Sequence, residues 1–374
     1  MTTSLPAEVL RYLEESREEF LPLLETLTAI PAPTGREQAR AAWCLDWLRR
    51  NGVEDAYQDA AGNVLYPHRC QEGPITVFMA HLDTVFPDGA ISLRREGSRI
   101  YAPGIGDDTA NLAVLLMLCR FAARHPHLCP AGILFAADVG EEGEGNLRGC
   151  RQVFADYGSR VETFIGFDGY FGHYTVLPVG SQRYRVTVRT EGGHSYQAFG
   201  NANAIHLLSG MIARLYRLNY PSSPRTTCNV GRITGGTSVN SIAQEASMLW
   251  ELRSESTAEL DRLEAEIRAI VEDCRARGGE VTVEDIGRRP CMGAVDAARQ
   301  AALTDRCTAV LRRYCPALTP ESGSTDANIP WSMGIPSITL GCVATGGAHT
   351  YQEWIDADQA PEGLALGLEL LLGC

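Results

Sequence analysis

What the chain does not contain narrows its class first. Its longest unbroken apolar run, Leu112 to Cys119, is eight residues, far short of the roughly 20 that span a bilayer, so no membrane helix is expected. The opening stretch MTTSLPAEVLRYLEESREEF reads as a polar, acidic helix. It has no basic end, apolar stretch or small-residue cleavage site, which argues against a secretory signal and for the cytoplasm. Basic residues are the minority, 33 against 46 acidic for a formal charge of -13, and no local basic stripe offsets that balance, which argues against a nucleic-acid surface. The 12 cysteines are scattered from Cys44 to Cys374 with no CxxC pair. Zinc ribbons and thioredoxin-like redox sites need such pairs; a scattered set suits a reduced chain in which cysteine fills small apolar spaces. A GxSxG elbow for a serine hydrolase is absent, as are the P-loop or basic cluster that would clamp a phosphate.

What is present is an apolar fraction of 45% over 374 residues, enough for two domains. Residues 7 to 29 carry apolar positions at helical spacing up to the breaker run Pro31 to Gly35, and Thr34 with Glu37 has the spacing of a capping box opening a second helix. Ile75 to Ala80, Ile133 to Ala137 and Thr163 to Phe167 are short apolar runs of buried-strand type, with a helix near 110–123 between the first two. This is an α/β order. From about Gly180 the pattern changes to a strand at Tyr184, a helix over 203–217, strands near 226–235 and 245–253, a helix over 257–277 and a strand from Glu280 to Val283. The order βαββαβ is that of a ferredoxin-like α+β sandwich. The α/β pattern then resumes with helices near 295–314 and 359–372 around a strand at Ser337 to Leu340. The expected organisation is a discontinuous first domain, 1–179 with 292–374, and an inserted second domain, 180–291.

In open α/β sheets the working residues gather beyond the carboxyl ends of the strands. Five polar clusters sit there: His81-Leu82-Asp83, Gly106-Asp107-Asp108, Glu141-Glu142, Asp168 and His349. Singly, each has a bland reading as a cap, a solvated turn or a dipole partner. Their shared position after strands favours convergence. Two His and at least three carboxylates without thiolates suit two divalent ions of borderline hardness, Zn²⁺, Mn²⁺ or Co²⁺. Two such ions sharing a carboxylate can activate a water for hydrolysis, and a remaining carboxylate can serve as its base.

Read in order, MAHLDTVFP (79–87), GIGDDTANLAVLL (104–116), GEEGEGNLRG (140–149), FDG (167–169), GGHS (192–195), GGTSVNSIAQEA (235–246), ELRSES (251–256), STDANIP (324–330) and GAHTYQEW (347–354) resemble the motifs of the M20 family of co-catalytic metallopeptidases and amidohydrolases. The resemblance implies a zinc-exopeptidase-like α/β/α catalytic domain with an inserted ferredoxin-like lid and dimerisation domain. It implies two divalent ions per subunit, zinc first and manganese or cobalt as alternatives, with Asp107 bridging, His81 and Asp168 completing one site, and Glu142 and His349 the other. By the same resemblance Glu141 is the general base, Asp83 holds the second nitrogen of the His81 ring, and a cis peptide joins Asp107 to Asp108. His194 would stabilise the oxyanion in a partner subunit's site. Asn240 and Arg253 would hold the substrate's carboxylate or carbonyl, and Ser324, Thr325 and Asn328 would line its pocket. One departure stands out: where many relatives place a lysine two residues after the bridging aspartate, this chain has Thr109.

These implications lead to a homodimeric exopeptidase, aminopeptidase-like, acting on short peptides; an aspartate at 168 resembles the aminopeptidase and aminoacylase branches. The alternatives are an N-acyl-amino-acid deacylase with the same machinery and, more remotely, a non-catalytic binding protein of the same fold. His68, His125, His127, His173 and His206 match no motif and read as surface or locally satisfied groups. His173 is the one to watch, being five residues past Asp168.

Overall fold

The computed structural model describes residues 5–87 and 91–373; the first four residues of the opening stretch and Cys374 lie outside them. The chain divides into two compact units, one made of the segments up to Leu177 and from Gly293 onward, the other of Pro178–Met292.

In the first unit the apolar runs form the middle of an eight-stranded sheet. Ile133–Asp138, Ile75–His81, Val161–Phe171 and Ser337–Gly341 are adjacent and mutually parallel. Every residue of Ile133–Asp138 and all but one of Ile75–His81 are buried, as expected for strands covered on both faces. Parallelism has a chemical consequence: the carboxyl ends of all four strands emerge at one edge, and with them His81, Asp138, Asp168 and the loop that leads to His349. Val64–His68 and His173–Pro178 add antiparallel neighbours. Helix Asn111–Arg124 packs with Ala7–Ala29 and Ala360–Leu372 in the main core. Among the described residues, no helix is long and apolar enough to cross a membrane.

The capping box expected at Thr34 and Glu37 does not form. The helix begins at Gln38, the Thr34 hydroxyl donates to Asp83 (2.8 Å), and Glu37 accepts from the Gly35 N–H and from Arg148. Tertiary partners outcompete the local motif.

The second unit is a four-stranded antiparallel sheet, in the order Thr226–Gly235, Glu245–Ser254, Gly180–Arg189, Glu280–Arg289. Helices Ala204–Leu215 and Thr257–Ala276 pack on it. This is the ferredoxin-like order. Alternating Tyr184, Val186, Val188 and Met248, Trp250, Leu252 point into its core, where the Tyr184 and Trp250 rings stack at 5.1 Å.

Candidate metal centre

His81 ends its strand fully enclosed. Its Nδ1 lies 2.9 Å from the backbone carbonyl of Asp83. A carbonyl only accepts, so Nδ1 carries a proton; Nε2 lies 3.1 Å from Asp107 Oδ1, donating to it while the ring is protonated and leaving its lone pair for an ion once that proton is gone. The expected ring holder is thus corrected in detail. The main chain of Asp83 takes that bond, while its carboxylate, 3.6 Å away at the nearest oxygen, accepts from the Glu141 and Glu142 N–H groups at 3.0 Å each. Asp83 therefore ties the Glu141-Glu142 turn to the end of the His81 strand.

Asp107 sits in a tight turn, Ile105–Ala110, joined to Asp108 by a cis peptide. The buried Asp108 faces away from the cluster: its carboxylate accepts from the His81 N–H (3.1 Å) and from Asn111 (2.7 Å). Asp168 leaves the sheet in a bulge, since Leu340 pairs with Phe167 and the next residue, Gly341, with Phe171. A side chain at 341 is excluded there, because its Cβ would lie 2.3 Å from the Gly169 carbonyl oxygen. His349 is held at φ +65°, a conformation uncommon outside glycine, with Nε2 2.9 Å from Glu142 Oε1 and 3.1 Å from Asp107 Oδ2.

Three overlapping sets result: His81 with Asp107 and Asp168, His81 with Glu141 and Glu142, and Asp107 with Glu142 and His349. In each set the donor atoms lie within 4.8 Å of one another. Asp107 offers one oxygen to each histidine, which is the arrangement a shared carboxylate needs. Electrostatics agree with a cation-seeking cluster. Burial alone would lower the His81 pKa, but Asp108, Asp107 and Asp83 push it well up. Hydrogen bonds that His349 donates to Asp107 and Glu142 raise it to about 11. Burial, then the charge of Asp107, raises Asp168 to about 7. Asp107 goes the other way: burial would raise it, but the hydrogen bonds and charges of His349 and His81 hold it well below the usual carboxylate range.

The cluster has partners that sequence reasoning missed. Glu353, 1% exposed, accepts from three backbone N–H groups of the Asp107 turn: Gly104 at 3.1 Å, Gly106 at 2.6 Å and Asp107 at 2.7 Å. Its only signal was its place in the GAHTYQEW motif. Arg40, also buried, donates to the Ile30 and Leu82 carbonyls and to the Thr109 hydroxyl. It brings a cation to the residue that stands where relatives carry lysine. The sequence contains no lysine anywhere; all 33 basic residues are arginine.

A model of the peptidase family M20/M25/M40 matches residues 77–373. The chain belongs to this family. Among its relatives, the YqjE protein of Bacillus subtilis is 25% identical over 82% of this chain and 83% of its own. A succinyl-diaminopimelate desuccinylase of Bordetella avium is 24% identical over 82% and 84%. The aminopeptidase PepT of Bacillus cereus shares the fold with a TM-score of 0.74 at 21% identity, covering 96% of this chain and 98% of that one. M20 membership and the convergent donor set make the protein a metal-dependent hydrolase.

The other predicted residues of the first unit divide. Thr325 lines the cleft that opens beside Asp107, Asp168 and His349. Asn328 does not: it is fully buried and accepts from the Thr325 N–H at 2.9 Å, closing the turn before the short helix Asn328–Ser332. Ser324 is likewise not among the residues lining that cleft. In the second unit, His194 pairs with Ser241 in a two-residue ladder, and its Nδ1 accepts from the Tyr196 and Gln197 N–H groups. Asn240 accepts the Ser195 N–H on its carbonyl. Arg253 donates to Glu251 at 3.1 Å. Of the unassigned histidines, His68 is buried, not on the surface. Its Nδ1 lies 3.0 Å from the Tyr66 hydroxyl, and its Nε2 has no hydrogen-bond partner among the described residues.

Proposed function

We propose that the protein is a two-metal exopeptidase that cleaves short peptides from the free amino end. The observation that carries this is the two-sided presentation of Asp107, one oxygen to His81 and the other to His349. His81, Asp107 and Asp168 would hold one ion; Asp107, Glu142 and His349 the other. The all-oxygen and imidazole set suits zinc, with manganese or cobalt as alternatives. When bound, two such ions acidify a water and polarise the scissile carbonyl.

The remaining steps fall to side chains. Glu141, buried beside His81 and Glu142, takes the proton of the attacking water and returns it to the leaving amine. Asp83, gripping both N–H groups of the Glu141-Glu142 turn, keeps that carboxylate aimed. His194 donates to the developing oxyanion, a role that needs a donor fixed where charge appears. Asn240 and Arg253 take the substrate's carboxylate end, for which an arginine fork is suited. Thr325 contributes a polar atom to the pocket; Ser324 stands outside its lining, and the buried position of Asn328 assigns it to the turn.

His194 acts in a partner subunit, in a homodimer formed through the second unit. The exposed Tyr196, Phe199, Ile233 and Val239 and the outer strand Thr226–Gly235 support that surface. A cytoplasmic location is supported by the 11 described cysteines, all free thiols.

A deacylase of N-acyl amino acids is the second reading, favoured by the desuccinylase relative. Hydrolysis of matched short peptides by the metal-loaded protein, with the terminal amine free or acetylated, separates the two. Cleavage only of the free-amine peptide is expected. Cleavage confined to the acetyl amide would replace the first reading with the second. Glu141→Gln should keep both metals while kcat falls about 10²- to 10⁴-fold; unchanged turnover removes Glu141 from the mechanism.

A further inference from the structure

Two chains of contacts reach the turn that carries Glu141 and Glu142 from one short segment, Thr34 to Glu37. The first runs through Asp83, whose Oδ2 accepts the Thr34 hydroxyl at 2.8 Å and the Glu142 N–H at 3.0 Å. The second runs through Arg148. Its guanidinium donates to Glu37 Oε2 at 2.6 Å, while the other oxygen of Glu37 accepts the Gly35 N–H at 2.8 Å. Glu37 is 1% exposed, and a charge buried that deeply is costly unless it is paired. The stem of Arg148 lies against Gly140, the residue before Glu141: a Cβ on Gly140 would meet the Arg148 Cγ at 2.8 Å and its Nε at 2.9 Å.

Local preference does not hold this loop. Asn146 and Leu147 take φ of +56° and +58°, uncommon for any residue with a side chain and more so for leucine than for asparagine. The Leu147 N–H donates to the Gly140 carbonyl at 2.9 Å and the Gly149 N–H to the Val139 carbonyl at 2.9 Å, so the start of helix Arg148–Tyr157 and the Glu141 turn form one piece. Arg148 presses on that piece at Gly140 and ties it to the segment that precedes helix Gln38–Arg50. Neither Arg148 nor Glu37 belongs to a convergent donor set. We propose that they are a positioning pair: their ion pair fixes where the Glu141 and Glu142 carboxylates stand relative to His81. This role rests on the reading of Glu141 as base and Glu142 as metal ligand, and deepens it by naming what keeps both aimed. The charge alone is not sufficient for it. A second guanidinium nitrogen of Arg148 approaches the Ala61 carbonyl at 3.5 Å, a reach that the single ammonium of a lysine does not reproduce.

The test compares wild type with Arg148→Met, Arg148→Lys, Glu37→Gln and the combination of Arg148→Met with Glu37→Gln, at a temperature where circular dichroism shows each of them folded. Two quantities are measured: binding of Co²⁺ to chelator-treated protein by calorimetry, and kcat and KM for Ala-Ala-Ala at saturating metal. Arg148→Met should bind Co²⁺ about tenfold more weakly at one site and lose about tenfold in kcat, the scale of partners one step removed from a metal, with KM within about twofold of wild type. Arg148→Lys should recover part of both losses. Either substitution breaks the same pair, so the combined variant should be no worse than the poorer single one. Should Glu37→Gln not fold, the contrast between Arg148→Met and Arg148→Lys decides. The titration does not depend on turnover: weaker Co²⁺ binding in a protein that cleaves nothing would uphold the pair and count against the base reading alone. A pair of purely structural value would lower Tm and leave Co²⁺ affinity and kcat as in wild type. That result, or losses that simply add in the combined variant, would overturn the proposal.

Discussion

Glu353 shows how much of a metal centre resides in residues that touch no metal. A buried carboxylate that accepts three main-chain N–H groups fixes the loop carrying Asp107, and partners of this kind orient ligands as effectively as the ligands' own rotamers. Glu353→Gln keeps the size but turns one acceptor into a donor facing N–H groups. The expected result is a loss of about 1–3 kcal/mol of stability and at least about tenfold weaker binding of a divalent ion, read by urea denaturation and metal titration. Metal affinity equal to wild type would reduce Glu353 to a core residue. Gly341 makes the complementary case by exclusion. Ala at 341 would meet the Gly169 carbonyl, so Gly341→Ala should displace Asp168 and weaken metal binding in the same titration.

At the scale of elements, helix Asn111–Arg124 does the most to hold the site's floor. Twelve of its 14 residues are buried, an arrangement of a helix with apolar residues all round, and its first residue is functional. Asn111 bridges Asp108 and the Cys342 N–H, linking the Asp107 turn to the end of strand Ser337–Gly341. Its one deep charge, Arg120, is matched by Glu19 at 2.6 Å and by the Tyr12 and Ser16 hydroxyls. Leu116→Ala in this helix should cost about 2–5 kcal/mol, whereas Leu10→Ala on the exposed side of Ala7–Ala29 should stay within about 0.5 kcal/mol. Chemical denaturation of the two variants checks the contrast, and equal losses would contradict the packing described. The strands that were not foreseen, among them Val64–His68, Arg94–Glu96 and Arg99–Tyr101, are short or contain proline. They are ordered by their neighbours, with little periodicity of their own.

For the whole molecule, stability is coupled to metal and pH. Burial raises Asp168 to about 7, and burial also raises Glu353 to about 7 against its N–H donors. A carboxyl with a raised folded pKa stabilises the fold while protonated. That contribution is complete below the unfolded value of roughly 4 and is lost as pH climbs through about 7. His349, raised to about 11, contributes in full only below its unfolded value of roughly 6.5 and loses part of that contribution towards pH 8, in the same direction, whereas Asp107, whose pKa is lowered, contributes steadily above its unfolded value. Chelator-treated protein should therefore show a Tm that falls between pH 5 and pH 8. Added zinc, which needs deprotonated ligands, should raise Tm more at pH 8 than at pH 5. A Tm increment independent of pH would refute this coupling.

The alternation of apolar runs and helical stripes determined the α/β class and the ferredoxin-like insertion, because burial periodicity is a local property that survives in the bare sequence. The polar motifs after strands likewise made His81, Asp107, Glu142, Asp168 and His349 legible as a set. What the sequence could not carry was any bond made between distant segments. Glu353 reaches back 246 residues to Asp107, Thr34 bonds Asp83 instead of capping the helix that follows it, and Arg40 reaches Thr109. Whether Asp83 meets His81 through its carboxylate or its main chain also depends on backbone approach. Those choices were decided only by tertiary structure, since each side chain has several partners of equal chemistry and the fold alone brings one of them within hydrogen-bonding distance.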